Sequence, residues 1–154
     1  MKIIYIKITL AFILEILLST FFKNTNYLLP LFVFFITVEE SIKLKQLKKS
    51  LIFSFIIGFI YDIVMTNTYF LNAFIFLIMT FIMKNYNKYI NKNKLTFLLY
   101  FLLELFLYRL ITYLVLVIIQ YKPLSFSLFI KSISSSILLN LIFIKCYQKS
   151  YKKL

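Results

Sequence analysis

Long apolar runs separated by short polar segments make up this chain, and the runs are continuous rather than alternating residue by residue. That pattern predicts membrane-crossing helices and not the strands of a barrel. Six helices are expected, over about 3–22, 27–44, 50–65, 69–84, 95–119 and 126–147. They form a single transmembrane domain over 1–154 with no internal repeat. The second is the shortest: only about 12 apolar residues separate Tyr27 from the Glu39-Glu40 pair, and Pro30 stands in its first turn, where a missing amide donor does no harm.

Inside the helices, polar and small residues recur every fourth position. Lys7, Ala11, Glu15, Ser19 and Lys23 do so in the first, and Ser50, Ser54, Gly58, Asp62 and Thr66 in the third. Thr96, Tyr100, Glu104, Tyr108 and Thr112 repeat the pattern in the fifth, and Ser132, Ser136 and Asn140 in the sixth. A spacing of four keeps side chains on one helix face, so each stripe marks a side turned toward other helices. The third stripe holds the only glycine of the chain and lets another backbone approach closely. Ser54, Gly58 and Asp62 are therefore a helix-packing seam, turned either to a helix of a partner or to the protein's own fifth or sixth helix.

Composition strengthens the membrane assignment. An apolar content of 62% and a mean hydropathy of +0.92 exceed what a soluble core of 154 residues can hide. The net charge of +13 would suggest nucleic acid in a soluble protein. Here the lysines sit between apolar runs, with no histidines and no zinc-finger spacing, so they read as topology signals and no nucleic-acid partner is expected. With the N-terminus inside, fourteen lysines fall on cytoplasmic segments and only Lys23 and Lys122 on outer turns. Both termini are therefore expected in the cytoplasm. The first run has no small-residue cleavage site after it and is read as a retained helix. Cys146, the lone cysteine, is read as an apolar filler.

Five charges fall within the expected helices: Glu15, Asp62, Glu104, Arg109 and Lys131. At about 1.5 Å per residue, Asp62 and Lys131 lie roughly 6–8 Å below the outer surface, Glu15 and Arg109 roughly 10–15 Å, and Glu104 near the middle. An unpaired charge at depth is penalised, so Glu15 is expected to pair with Arg109 and Asp62 with Lys131. Glu104 is either neutral or hydrogen-bonded to the tyrosines of its own stripe. Such pairs hold helices together, or else mark an ion or proton path. Catalysis has little to stand on. There is no imidazole base, no metal-ligand cluster and no phosphate-cradling loop, and Ser134, Ser135 and Ser136 lack a partner base. No cofactor is expected.

The run Gly58-Phe59-Ile60-Tyr61-Asp62, a short turn, and Asn72-Ala73 in the following helix resemble the MreD family of the bacterial rod-shape machinery. Pro30, the length, the six-helix layout and the basic loops fit the same family. The family often has glycines where this chain holds Thr66 and Phe70. The resemblance implies a non-enzymatic scaffold of the bacterial cytoplasmic membrane. Its partners would be a periplasm-facing MreC, with MreB, RodZ and the RodA–penicillin-binding-protein synthase pair. It also implies an all-α fold similar to the S component of energy-coupling-factor vitamin transporters. Such a component is the alternative reading, and it would need an enclosed polar pocket near the outer face and an alanine-based motif on the first helix, where Ala11 stands alone. A phage-type or immunity membrane protein without a stable partner is a third.

Overall fold

The computed structural model describes residues 2–21, 30–66, 68, 70–86, 94–120 and 123–151. The turn at Lys23–Asn26, Asn67, the linker residues 87–93, Lys122 and the end of the lysine tail (152–154) lie outside the described residues. All the regular structure described is helical: α1 (Lys2–Phe21), α2 (Phe32–Lys43), α3 (Leu47–Tyr61), α4 (Leu71–Tyr86), α5 (Lys94–Ile118) and α6 (Phe126–Tyr151). A π-helical turn, Asp62–Thr66, continues α3.

Among the described residues, four stretches are long and apolar enough to cross a membrane: Ile3–Phe21, Leu47–Thr66, Leu98–Ile118 and Phe126–Cys146. α4 is apolar but shorter, at 16 residues. Their outward faces carry bare apolar side chains such as Ile3, Leu10, Phe74, Leu99 and Leu138, the surface a lipid-facing helix presents. This is a multi-pass membrane protein.

α2 is the exception and the centre. Its 12 residues rise only about 18 Å, short of the ~30 Å hydrocarbon layer. Every residue from Phe32 to Val38 is buried, as befits a helix apolar all round. α1, α3 and α4 pack around it. Its phenylalanines also tie in the rest: Phe34 lies 5.2 Å from Phe76 of α4 and 4.4 Å from Tyr108 of α5, and Phe35 lies 4.2 Å from Phe101 of α5. Phe32 stacks on Phe143 of α6 at 4.1 Å.

Three boundaries differ from those expected. Pro30 and Leu31 precede α2 instead of forming its first turn. Glu39 and Glu40 belong to the last turns of α2, within the expected span, which ends at Lys43 instead of 44, and lysines pair with them there. α3 begins at Leu47, which leaves only Leu44–Gln46 between the two helices.

Candidate functional site

The Ser54–Gly58–Asp62 seam meets α4, not the fifth or sixth helix. A Cβ built on Gly58 would stand 2.7 Å from the Ala73 Cα and 2.7 Å from the Asn72 carbonyl oxygen. Both contacts are backbone, so the crossing has no room for a side chain. One turn on, Asp62 is buried and its carboxylate closes the start of α4. Its Oδ1 accepts hydrogen bonds from the Asn72 backbone N–H at 3.1 Å and the Asn72 Nδ2 at 2.8 Å, and its Oδ2 accepts from the Ala73 N–H at 3.0 Å. Thr66 and Thr68 donate their hydroxyls to the same Oδ1. The first N–H groups of any helix lack partners within it and carry partial positive charge. Asp62 answers both needs from a neighbouring helix.

Glu15 repeats the arrangement at α2. It is 1% exposed, its Oε2 accepts the Val33 N–H at 3.0 Å, and its Oε1 accepts the Tyr61 hydroxyl. Asn140 of α6 adds its Oδ1 as acceptor for the Leu31 N–H at 2.9 Å. Each short inner helix, α2 and α4, thus starts on a carboxylate supplied by the helix before it. Tyr61 joins the two joints, standing beside Asp62 in sequence while bonded to Glu15. Tyr108 joins the second to α5, donating to Asn72 Oδ1 at 2.7 Å.

The expected ion pairs are therefore replaced. Glu15 takes its hydrogen bonds from backbone and Tyr61 rather than from Arg109, and Asp62 takes its own from the turn and α4 while Lys131 lies exposed on α6. Helix-end N–H groups and hydroxyls make the direct contacts to these carboxylates, and Arg109 acts on Glu15 only through its charge. Arg109 sits beside the Tyr108 ring, 5.7 Å from its centroid, and its Nε and Nη2 are buried without a hydrogen-bond partner. Glu104 is 5% exposed, and its Oε1 also lacks a partner. The tyrosines of its stripe point elsewhere, Tyr100 donating to the Met83 carbonyl at 3.4 Å and Tyr108 to Asn72. Since no bond depends on its Oε1, Glu104→Gln should leave the unfolding free energy in detergent within about 1 kcal/mol of the parent. A large loss would mean that the carboxyl has a specific partner.

At the opposite end of α2, charges do pair. Lys7 Nζ lies 3.0 Å from Glu40 Oε1, and Lys43 Nζ lies 3.0 Å from Glu40 and 3.2 Å from Glu39. Burial pushes the Glu40 carboxyl up, but hydrogen bonds from Lys7 and Lys43 outweigh it and hold the group below its ordinary value. Lys84 of α4 caps the end of the same segment, donating to the Leu44 carbonyl at 2.6 Å.

A cleft of about 230 Å³ opens at the end of the bundle where Thr66 and Thr68 lie. Tyr61, Asn72, Tyr108, Arg109 and Thr112 line it, with Pro30, Leu31, Leu71 and Leu116 as its apolar walls. The cleft brings Arg109 together with the residues of the two capped joints. The seam and three of the intramembrane charges thus meet in one region, whereas Glu104 and Lys131 do not join it. Asn72 and Tyr61 are the partners that periodicity alone left unassigned, whereas Asn140 lies on the stripe of the sixth helix. A polar residue inside an otherwise apolar run was the available signal for each.

A family model described as MreD, rod shape-determining protein MreD, matches residues 1–150. No curated protein and no solved structure matches the chain.

Proposed function

The chain belongs to the MreD family of rod shape-determining proteins, and from that membership we propose that it is a non-enzymatic scaffold of the bacterial cell-elongation complex. The match over residues 1–150 carries this reading. The chemistry of the interior supports it. Asp62, Glu15, Asn72 and Asn140 spend their polar atoms on helix starts, which is how a fixed shape is maintained and not how a reactive group is kept available. In this reading both termini face the cytoplasm, and the partners are a single-span, MreC-like periplasmic protein, with MreB, RodZ and the RodA synthase pair beyond it. The alternative of a vitamin-binding S component gains nothing from the cleft, because about 230 Å³ falls below the ~300–1,000 Å³ typical of a site that encloses a small molecule.

The seam of Ser54, Gly58 and Asp62 is filled by α4, so a partner helix would have to use another face. Two measurements test the proposal together. Co-purification from gently solubilised membranes should recover a single-span periplasmic coiled-coil protein, and cells depleted of the chain should lose rod shape. Alkaline phosphatase fused after Leu154 should be inactive, and reporter activity there would overturn the topology. Recovery of an ATPase with its membrane coupling subunit would overturn the scaffold.

A further inference from the structure

The chain has five acidic residues, and none of them makes a hydrogen bond or ion pair with Arg109, on which Glu15 acts only through its charge at a distance. Glu39 and Glu40 bind lysines at the far end of α2. Glu15 and Asp62 cap helices, and Glu104 stands five residues away on α5, a separation that does not bring two side chains face to face. The hydroxyls and amide around the cleft are already committed. Tyr61 donates to Glu15, Tyr108 to Asn72, Thr112 to the Tyr108 carbonyl, and Thr66, Thr68 and Asn72 to Asp62. Arg109 lines the cleft, and its buried Nε and Nη2 have no hydrogen-bond partner.

Nε and Nη2 lie on one edge of the guanidinium, and such an edge, once turned into the cleft, matches the paired oxygens of an oxyanion. Among the described residues no acceptor touches these two N–H groups. Thr66 and Thr68 line the same cleft as Arg109, with leucines and a proline among its walls. That shape admits a small charged head followed by an apolar stem. In the proposed topology this end faces the outer leaflet, where lipid phosphates are the most abundant anions.

We propose that the Arg109 cleft is a binding site for a phosphate group, carried by a membrane lipid or free in solution. The proposal does not depend on the scaffold reading, since it concerns the occupant of the cleft whatever the protein assembles with.

The test uses the purified full-length chain in detergent and reads its thermal midpoint. Phosphatidic acid should raise the midpoint, and diacylglycerol of the same chain length should not. Inorganic phosphate separates the sources: a rise with it as well shows that the phosphate alone suffices, and a rise with the lipid only shows that the stem is required. Arg109→Gln should lose most of the shift, while Arg109→Lys should retain part of it as a point charge without the fork. Should Arg109→Gln fail to accumulate, Leu116→Trp keeps the arginine and fills the mouth of the cleft, and it should also remove the shift. Equal responses to phosphatidic acid and diacylglycerol, or an undiminished shift in Leu116→Trp, would overturn the proposal. So would a variant that keeps its lipid response but no longer retains a protein partner, because the counter-charge would then be an acidic side chain of that partner.

Discussion

Gly58→Leu is expected to abolish accumulation of the folded protein, with loss of partner binding only as a consequence. Even the first added carbon would sit 2.7 Å from two backbone atoms of α4, and backbone cannot rotate aside as a side chain can. The α3–α4 crossing would have to open. That opening would withdraw Asp62 from the Asn72 and Ala73 N–H groups, which are held at 3.1 and 3.0 Å. Overpacking alone costs about 3 kcal/mol or more at such a contact. Each orphaned buried donor adds roughly 1–3 kcal/mol. Asp62→Ala removes the cap without the clash, so it should destabilise less than Gly58→Leu while failing at the same joint. Quantifying folded protein by size-exclusion chromatography in mild detergent checks the order. A Gly58→Leu protein that accumulates normally yet loses its partner would mean that the seam faces outward.

Much of this architecture was legible in the four-residue stripes. Periodicity turned Ala11, Glu15, Ser54, Gly58, Asp62 and Tyr108 inward, and all six are buried. Ser19, the next step of the first stripe, is exposed, because that stripe runs past the start of α2. What periodicity cannot supply is the partner of a buried carboxylate. A cation announces itself as Lys or Arg, whereas a helix-end N–H belongs to every residue type and leaves no mark in the sequence. Arg109 and Lys131, at matching depths, are therefore the partners that sequence offers Glu15 and Asp62, and neither makes the contact. Glu39 and Glu40, inside the expected second helix, find their cations in Lys7 and Lys43, as charges at a helix end should. Phe70 is the converse case. Its φ of 59° is a left-handed conformation that glycine adopts without strain, and the family often has glycine there. The ring stacks on Phe59 at 5.0 Å, a contact that offsets the strain and explains why an aromatic residue is tolerated.

The joint at α2 permits a sharper distinction between a capped helix and an ion pair. If Glu15 were held by Arg109, exchanging the two charges would preserve the attraction, and Glu15→Arg with Arg109→Glu would recover what either change loses. The geometry predicts no such rescue. Glu15 accepts hydrogen bonds from Val33 N–H and the Tyr61 hydroxyl, and an arginine in its place has no acceptor to offer. It would also bring a cation against the positive end of α2. Loss of the capping charge with burial of a new one should cost roughly 3–5 kcal/mol, enough to prevent folding. The double variant should accumulate no better than Glu15→Arg alone. Milder changes grade the same joint: Tyr61→Phe removes one donor and should cost about 1–2 kcal/mol, with Glu15→Gln keeping one acceptor oxygen and falling between. Thermal midpoints of the single variants and accumulation of the double one provide the measurements. Recovery of the double variant to parental levels would establish the ion pair and refute the cap.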